Sequence, residues 1–367
     1  MVFLFLLGVL TDIPYFCKSI IYTIYLVKKH FKRIVQVAIV SVYLIFIAGS
    51  VVRMTGSGMG CPDWPKCFGY YIPPTDVEQL LWKPNTTFVK GAVIIIDETL
   101  YVANNTLQTK EVYNSENWSV YTKHDYAVFN VFHTWTEYIN RLASVLSGFV
   151  FLFLIAGATR FWKENKKITL FAFAAFFLML FEAWLGKTVV DSVLKPSVIT
   201  IHMVAGLMII GLLLKLLQLV SKKDQPIRTF NKTFNTLLTV SIILSVIQIA
   251  LGTQVRQFVD EQVKLFGFEN KQMSLYNPSI KFYVHRSFTI AIVLLNFFIF
   301  YKNEMLKFQY KIPTWILILL GFEAMSGILM FYSDFPFGTQ AVHLLSGALL
   351  FGMQFYLRIE HGSLKRK

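Results

Sequence analysis

The chain has 367 residues, of which 55% are hydrophobic and 15% are charged, and its formal net charge is +14. A soluble domain is roughly 45–50% apolar and about 25% charged, so this composition excludes an ordinary soluble protein. The basic residues lie in short segments at the ends of apolar runs. That is the positive-inside pattern of a protein embedded in a lipid bilayer, and we expect no nucleic-acid partner.

Residues 1–33 are an N-terminal extension and a cytoplasmic lead into the first membrane span. The run "MVFLFLLGVL" is apolar, but Asp12, Pro14 and Lys18 interrupt it before it is long enough to cross a bilayer cleanly. It is a signal-like segment, a ninth helix or an extension from an upstream start codon, and we favour the last.

Eight apolar runs of about 20 residues predict eight transmembrane helices. They cover residues 34–53, 131–158, 168–190, 197–219, 234–255, 282–301, 313–332 and 338–358. Five basic segments alternate between them and mark the cytoplasmic side. These are 28–33, 160–167, 221–232, 301–311 and 364–367. Both ends of the bundle are then cytoplasmic, and the long loop at 54–130 lies outside.

This outer loop is the only sizeable soluble segment. "GAVIIIDETLYVA" (91–103) predicts two strands around an Asp-Glu turn, and "SENWSVYTKHDYAVFN" (115–130) predicts an amphipathic surface helix. Cys61 and Cys67 lie on the oxidising side of the membrane, so they are competent to form a disulfide.

A helical hairpin occurs twice in the chain. Residues 181–211 match residues 322–352, with Glu182 opposite Glu323 and His202 opposite His343 at the same offset of 141 residues. Upstream, "EYINRLAS" matches "FYVHRSFT", and "GSVVR" matches "GTQVR". The repeat predicts an all-α integral membrane protein of two repeated four-helix bundles.

The predicted halves have different lengths. The first half (34–220) contains the long outer loop as an insertion, and the second half (234–358) lacks it. A cytoplasmic linker at 221–233 joins the halves, and a basic cytoplasmic tail at 359–367 ends the chain.

Asn140, His202, His285 and His343 occupy equivalent places near the outer ends of the even-numbered helices. A single histidine there is most simply an interhelical hydrogen-bonding residue. Three histidines at one depth, two in the second half, instead favour ligands of a haem iron.

Four arginines lie near the same outer surface, where they can hold haem propionates by charge-assisted hydrogen bonds or simply extend to the membrane interface. They are Arg53, Arg141, Arg256 and Arg286.

Glu137 makes the two halves unequal. It precedes Asn140 by one helical turn, so the two residues share a face, and its counterpart Phe282 is apolar. A site with two histidines is coordinatively full and suits electron transfer, whereas an iron with one protein ligand keeps a position open for oxygen chemistry.

The motifs "AGSVVRMTGSGMGCPDWPKC", "WTEYINRL", "ITIHMVAG", "FYVHR" and "AVHLLSG" together resemble the haem A synthase family over roughly residues 34–358. The resemblance implies oxidation of a porphyrin methyl group of haem O to the formyl group of haem A. It also implies a resident haem b for electron transfer and a role in assembling haem A-containing terminal oxidases. The implied partners are haem O synthase, oxidase assembly factors and an unidentified electron donor.

By this resemblance, His285 and His343 ligate the iron of haem b, and His202 ligates the iron of the substrate haem. Glu137 matches the family's acidic residue, and Cys61 and Cys67 match its disulfide pair.

Asn140 departs from the family pattern, which has a histidine at this position. Two interpretations follow. His133, two turns earlier and nearly on the same face, substitutes as a ligand, or the substrate iron has His202 alone and is open on the Glu137 side.

Two other classes share part of this pattern. A di-haem cytochrome b-type electron carrier would use the histidines but would not need Glu137. A transporter with duplicated bundles would have broken helices at mid-membrane, whereas the polar residues here lie near the outer face. We expect a bacterial inner membrane as the location, because no Arg/Ser-rich transit peptide precedes the first span.

Overall fold

The computed structural model describes residues 30–121, 129–221, 228–267, 270, 273 and 275–364. Eight helices in this part of the chain are long and apolar enough to cross a membrane. They are α1 His30–Met54, α2 Val131–Ala158, α3 Lys166–Asp191, α4 Pro196–Val220, α5 Lys232–Phe266, α6 Ile280–Met305, α7 Ile312–Tyr332 and α8 Thr339–Gly362. The predicted all-α, multi-pass membrane protein is confirmed. The alternatives for the N-terminal segment concern residues outside this description.

The helices begin where the sequence offers a cap. Hydrocarbon gives backbone groups no hydrogen-bond partner, so an apolar spanning run is helical. Asn130, Asn165 and Asn231 precede α2, α3 and α5, and each side chain accepts a hydrogen bond from a backbone N–H of the first turn. α4 and α7 have a proline in the first turn, where a missing N–H is harmless.

The fifth helix is longer than predicted. α5 continues to Phe266, whereas its apolar run ends near residue 255. Arg256 and Asp260, one turn apart on this extension, form an ion pair with 2.7 Å between Nη2 and Oδ1. The polar segment therefore remains helical through side-chain pairing, a signal that hydropathy alone does not contain.

The loop between α1 and α2 folds into a small β-rich cap at one end of the bundle, which we call the loop face. Its strands are β1 Thr87–Phe88, β2 Val93–Ile96, β3 Thr99–Ala103, β4 Leu107–Gln108 and β5 Trp118–Val120. β2 and β3 pair antiparallel, as predicted, and both turn residues, Asp97 and Glu98, have positive φ. Such a pair of φ values suits a two-residue hairpin.

The predicted helix at 115–130 is wrong in its described part. Ser115–Asn117 forms a single 3-10 turn, and β5 follows and pairs antiparallel with β3. Trp118 is buried and packs edge-on against Phe88, at 5.3 Å between ring centroids. Strand pairing and burial of this indole outweigh the local helical pattern. Residues 122–128 lie outside the described part of the chain.

Two apolar clusters fill the bundle. One is built mainly from α1 to α4 with Ala348 and Phe351 of α8, and the other from α5 to α8 with the short link before α7. α4 packs against both α5 and α8 and so joins the two groups. The arrangement agrees with two four-helix units, although the duplication itself remains a prediction from the sequence.

One interior region of the second half is polar. Gln354 Nε2 donates to Ser241 Oγ at 3.0 Å, and Ser241 Oγ donates to Asn296 Oδ1 at 3.0 Å. All three side chains are buried and come from α8, α5 and α6. The aligned positions of the first half are Ala38, Phe151 and Leu213, which are buried and apolar. The two interiors therefore differ in polarity at matching positions.

Candidate functional site

Glu137 is buried where α2 meets the cap, with 4% of its surface exposed. Its Oε2 accepts a hydrogen bond from the backbone N–H of Cys61 at 2.7 Å. Arg141, one turn later, donates from Nη2 to Oε1 at 2.5 Å. The carboxylate is thus held on one side by the cap and on the other by its own helix.

Arg141 also holds the cap against α2. Its Nη1 donates to the carbonyls of Asp63 and Lys66 at 2.7 and 2.9 Å, and its Nη2 donates to the carbonyl of Cys61 at 3.2 Å. These carbonyls belong to the ring that the Cys61–Cys67 disulfide closes. Contact between Arg141 and a propionate remains a prediction, and in this structure these two nitrogens already bind the cap and Glu137.

The glycine-rich stretch lets the cap approach α2 closely. A Cβ at Gly60 would overlap the backbone of His133 and Thr134, so only glycine fits there. Thr134 donates from Oγ1 to the Gly60 carbonyl at 2.9 Å and completes the contact. The position of Cys61, and therefore of its N–H beneath Glu137, depends on this approach.

Asp63 lies within the disulfide ring and outside the membrane spans. Its Oδ2 accepts a hydrogen bond from the Gly69 N–H at 2.8 Å, and its buried Oδ1 has no partner among the described residues. Burial raises the pKa of Asp63, although the Gly69 amide and the charge of Arg141 act in the opposite direction. The hydrogen bond from Gly69 thus stabilises the disulfide ring, and its cost is that the Asp63 carboxyl group is removed from solvent.

His133 points toward the glycine-rich stretch. Its Nδ1 lies 2.9 Å from Ser57 Oγ, and Ser57 Oγ lies 2.6 Å from Thr55 Oγ1. This pairing leaves Nε2 as the nitrogen available to a metal. Its substitution for the absent family histidine remains a prediction.

Asn140 has a buried side-chain oxygen without a hydrogen-bond partner among the described residues. Gly49 of α1 faces it, with 3.8 Å between a Cβ built on that glycine and Asn140 Oδ1. A buried amide oxygen is normally satisfied by a donor. The Asn140 oxygen therefore keeps an acceptor position for a further hydrogen bond.

His202 is positioned by a carboxylate. Its Nδ1 lies 2.6 Å from Oε2 of Glu182, a residue of α3. Gly186, one turn further along α3, faces the same imidazole ring at 3.8 Å. Because Nδ1 is occupied, Nε2 is the nitrogen left to bind a metal.

His285 and His343 lie close together, with 6.5 Å between ring centroids and 72° between ring planes. Two imidazoles that each place a nitrogen about 2 Å from one metal ion have centroids about 6 Å apart. His285 Nδ1 is buried without a partner among the described residues, while His343 Nδ1 lies 2.9 Å from Glu323 Oε2. The pair therefore fits a shared metal ion.

Gly252 of α5 makes room for one of these rings. A Cβ built on it would lie 3.1 Å from Cε1 of His285, closer than an ordinary van der Waals contact. The position aligns with Gly49, so a glycine faces the ligand position of α6 and the corresponding position of α2.

Three of the four arginines lie on α1, α5 and α6 at the loop face. Asp260 pairs with Arg53 at 3.3 Å and with Arg256 at 2.7 Å, and Arg256 also donates to the Arg53 carbonyl at 2.8 Å. Arg286 lies over the ring of Tyr283, 5.3 Å from its centroid. The structure thus brings Arg53 and Arg256 into one cluster and leaves Arg286 in an aromatic environment.

Sequence reasoning missed Asp260 and underrated two glutamates. Asp260 lies between the predicted spans 234–255 and 282–301, so its place between two arginines was not anticipated. The symmetry of Glu182 and Glu323 favours structural pairing over catalysis and does not indicate which residues they contact, namely His202 and His343. The available signal was the shared offset of 141 residues, which relates the two glutamates and also their histidine partners.

Comparisons with known proteins agree on one family. The COX15-CtaA family model, described as cytochrome oxidase assembly protein, matches residues 32–92 and 102–355. A haem A synthase of Shewanella oneidensis is 25% identical over 221 residues, which cover 60% of this chain and 54% of that protein. The haem A synthase of Wolbachia pipientis wMel is 24% identical over 86% of this chain and 88% of its own. The corresponding values for Ehrlichia canis are 24%, 87% and 89%.

Proposed function

The chain belongs to the COX15-CtaA family of cytochrome oxidase assembly proteins, and we propose that it is a haem A synthase. Its substrate is haem O, one methyl group of which becomes the formyl group of haem A for a terminal oxidase. The observation that carries this proposal is the family match along most of the chain. The unequal pair of histidine sites in the two halves suits such an enzyme.

The first half holds the substrate. His202 binds the haem O iron through Nε2, because Glu182 occupies its Nδ1. Oxidation of a methyl to a formyl group adds one oxygen atom and removes hydrogen, with electrons exchanged through a separate partner. Glu137 is the carboxylate assigned to the proton transfers that accompany this change. Arg141 and the Cys61 N–H fix the orientation of both Glu137 oxygens.

The second half holds a resident haem b between His285 and His343. The spacing of the two rings, the unpartnered Nδ1 of His285 and the clearance at Gly252 support this assignment. A haem with two histidine ligands supplies one-electron transfer. The protein contributes two imidazoles held on α6 and α8.

The propionates of the two haems are anions, and the loop face offers cations to receive them. Arg53 and Arg256 share the single carboxylate of Asp260, so their cluster retains a positive charge. Arg286 and Arg141 are the remaining candidates, as charge-assisted donors.

The substrate iron has either His133 or no protein group opposite His202. Asn140 is a poor ligand for iron, yet its unpartnered oxygen lies at the position where the family has a histidine. We keep both arrangements, since the hydrogen bond of His133 to Ser57 leaves its Nε2 available.

We place the protein in a bacterial inner membrane, with the loop face and its disulfide on the outer side and both ends of the bundle in the cytoplasm. The basic segments at the opposite end of the helices support this orientation. The three relatives are bacterial. Haem O synthase, oxidase assembly factors and an electron donor are the partners that this role requires.

The test is the mass of the haems extracted from a host that makes haem O, with and without this protein. A formyl or hydroxymethyl porphyrin that appears only with the protein is expected. A Glu137→Ala variant at equal expression is the control for background oxidation. Haem O left unchanged beside bound haem b would contradict the proposal and favour a di-haem electron carrier.

A further inference from the structure

Among the residues that the structure describes, two histidines have a carboxylate beside Nδ1. Glu182 Oε2 lies 2.6 Å from His202 Nδ1, and Glu323 Oε2 lies 2.9 Å from His343 Nδ1. A carboxylate on the distal nitrogen fixes the tautomer of a metal-binding imidazole and raises its basicity as a ligand. The carboxylate–histidine pair is the same in both halves. Any difference in how strongly the two histidines donate electrons must therefore come from the groups around each carboxylate.

Hydroxyl groups surround the second pair. Ser346 Oγ donates a hydrogen bond to Glu323 Oε1, and Ser326 Oγ lies 2.8 Å from His343 Nδ1. The aligned residues of the first half are Ala205 and Leu185, which have no hydroxyl. Within the described part of the chain, Glu182 has His202 as its side-chain partner and no hydroxyl donor.

These differences alter how strongly each histidine donates electrons to iron. A hydrogen bond to a carboxylate withdraws negative charge from it, and Ser326 competes with Glu323 for the same imidazole nitrogen. Glu182 has no such hydroxyl donor, so its hydrogen bond to Nδ1 of His202 is not weakened in this way, in agreement with the shorter distance. A more basic imidazole donates more electron density, which stabilises oxidised iron and lowers its reduction potential.

We propose that Glu182 is a positioning residue that makes His202 a strongly electron-donating ligand of the substrate haem. Ser326 and Ser346 weaken the same effect at His343. The inference rests on the proposed function and deepens it, because it assigns oxygen chemistry to the half with the stronger donor and electron transfer to the half with the weaker one.

The test measures the first-half iron directly. Haem O is titrated anaerobically into purified full-length protein carrying His343→Ala, which removes the second-half haem from the spectra. The readouts are the midpoint potential of the bound haem and the iron–histidine stretching frequency of its ferrous form. Glu182→Gln is expected to raise the potential and lower the stretching frequency while the haem still binds.

Two further variants keep the test decisive if Glu182→Gln fails to fold. Ala205→Ser, with the wild-type glutamate, should shift both readouts in the same direction as Glu182→Gln but by less. Ser346→Ala, with the second-half histidines intact, should lower the midpoint potential of haem b. Unchanged potentials and stretching frequencies in the foldable variants would overturn the inference.

Failure of this inference is distinguishable from failure of the proposed function. The potential and the stretching frequency are read without turnover, so they report on Glu182 whether or not haem A is formed. Absence of haem A with the wild-type protein would instead contradict the synthase activity.

Discussion

The first and second halves of the bundle have matching glycines and matching carboxylate–histidine pairs but different groups around them. His285 and His343 face each other in the second half, whereas the corresponding positions of the first half are Asn140 and His202. Only the first half has a buried acid, Glu137, tied to a disulfide-closed cap. In the proposed function, a few side chains near one depth are thus enough to distinguish a substrate site from an electron-transfer site within the same arrangement of helices.

The largest effect is expected from removing one ligand of the two-histidine site. His343→Ala should remove essentially all bound haem b, because a single imidazole no longer holds the iron on both sides. The measurement is the absorption spectrum and haem content of purified protein. His202→Ala is the matched control and should keep haem b while losing product. Full haem b content in His343→Ala would show that the second-half assignment is wrong.

Removal of the first-half acid should leave the second half untouched. Glu137→Ala is expected to spare haem b and reduce haem A formation by at least about 100-fold, the usual range for a lost proton-transfer group. Product is measured by mass of the extracted haems. Glu78→Gln, an exposed carboxylate of the cap, is the control. If Glu137→Ala retains full activity, the acidic role is wrong.

The aligned glycines offer a smaller and more symmetric comparison. Gly252→Ala should weaken haem b binding several-fold, because its Cβ would press on the His285 ring at 3.1 Å. Gly49→Ala is the matched variant and should be nearly neutral, since its Cβ would lie 3.8 Å from Asn140 Oδ1. The measurement is the fraction of haem that stays bound on dilution: haem b for Gly252→Ala, and haem O for Gly49→Ala. Equal loss of haem in the two variants would contradict the predicted difference in packing between the halves.

The smallest effect is expected from a substitution that makes the first-half site resemble the two-histidine site of the second half. Asn140→His should add a second imidazole to the haem O iron and move its ferric spectrum to a fully low-spin form. If His133 already supplies that ligand, the wild-type spectrum is low-spin and His133→Ala, rather than Asn140→His, changes it. Electron paramagnetic resonance of haem O-loaded protein separates the two interpretations.

The helical frame was largely predictable because hydrocarbon imposes helices of one minimum length on apolar runs. The hairpin at 91–103 was also predicted, since its Asp-Glu turn and the apolar β-branched run before the turn are local signals. The continuation of α5 and the strand at Trp118 were not, because they depend on an ion pair and on burial against Phe88. The ion pair is local but invisible to hydropathy, whereas the contact of Trp118 with Phe88 joins residues 30 positions apart (118 − 88).

The candidate site was predicted as a set of residues but not as a set of contacts. Sequence alignment of the halves singled out His202, His285 and His343 without their partners. The hydrogen bond of Cys61 N–H to Glu137 joins residues 76 positions apart, and no periodicity encodes it. Similarly, Ser326 and Ser346 gain meaning only once both are seen beside Glu323 and His343.

The buried, hydrogen-bonded trio of Ser241, Asn296 and Gln354 fixes the relative height of α5, α6 and α8 in the second half. Each lies eleven residues, about three helical turns, from Gly252, His285 or His343 on its own helix, and so shares that residue's face. Sliding α6 by one turn, about 5.4 Å, would break the trio, and each unsatisfied group in hydrocarbon costs several kcal/mol.

The trio therefore holds the helices that carry His285 and His343 at a fixed relative height, so in the proposed function the protein's own side chains set the geometry of the haem b site. The first half has apolar Ala38, Phe151 and Leu213 at the matching positions, and its α1 and α2 are linked instead by one serine pair, with 2.9 Å between Ser41 Oγ and Ser147 Oγ. In the proposed function, this two-helix link in place of a three-helix one suits a site that must admit one porphyrin and release another.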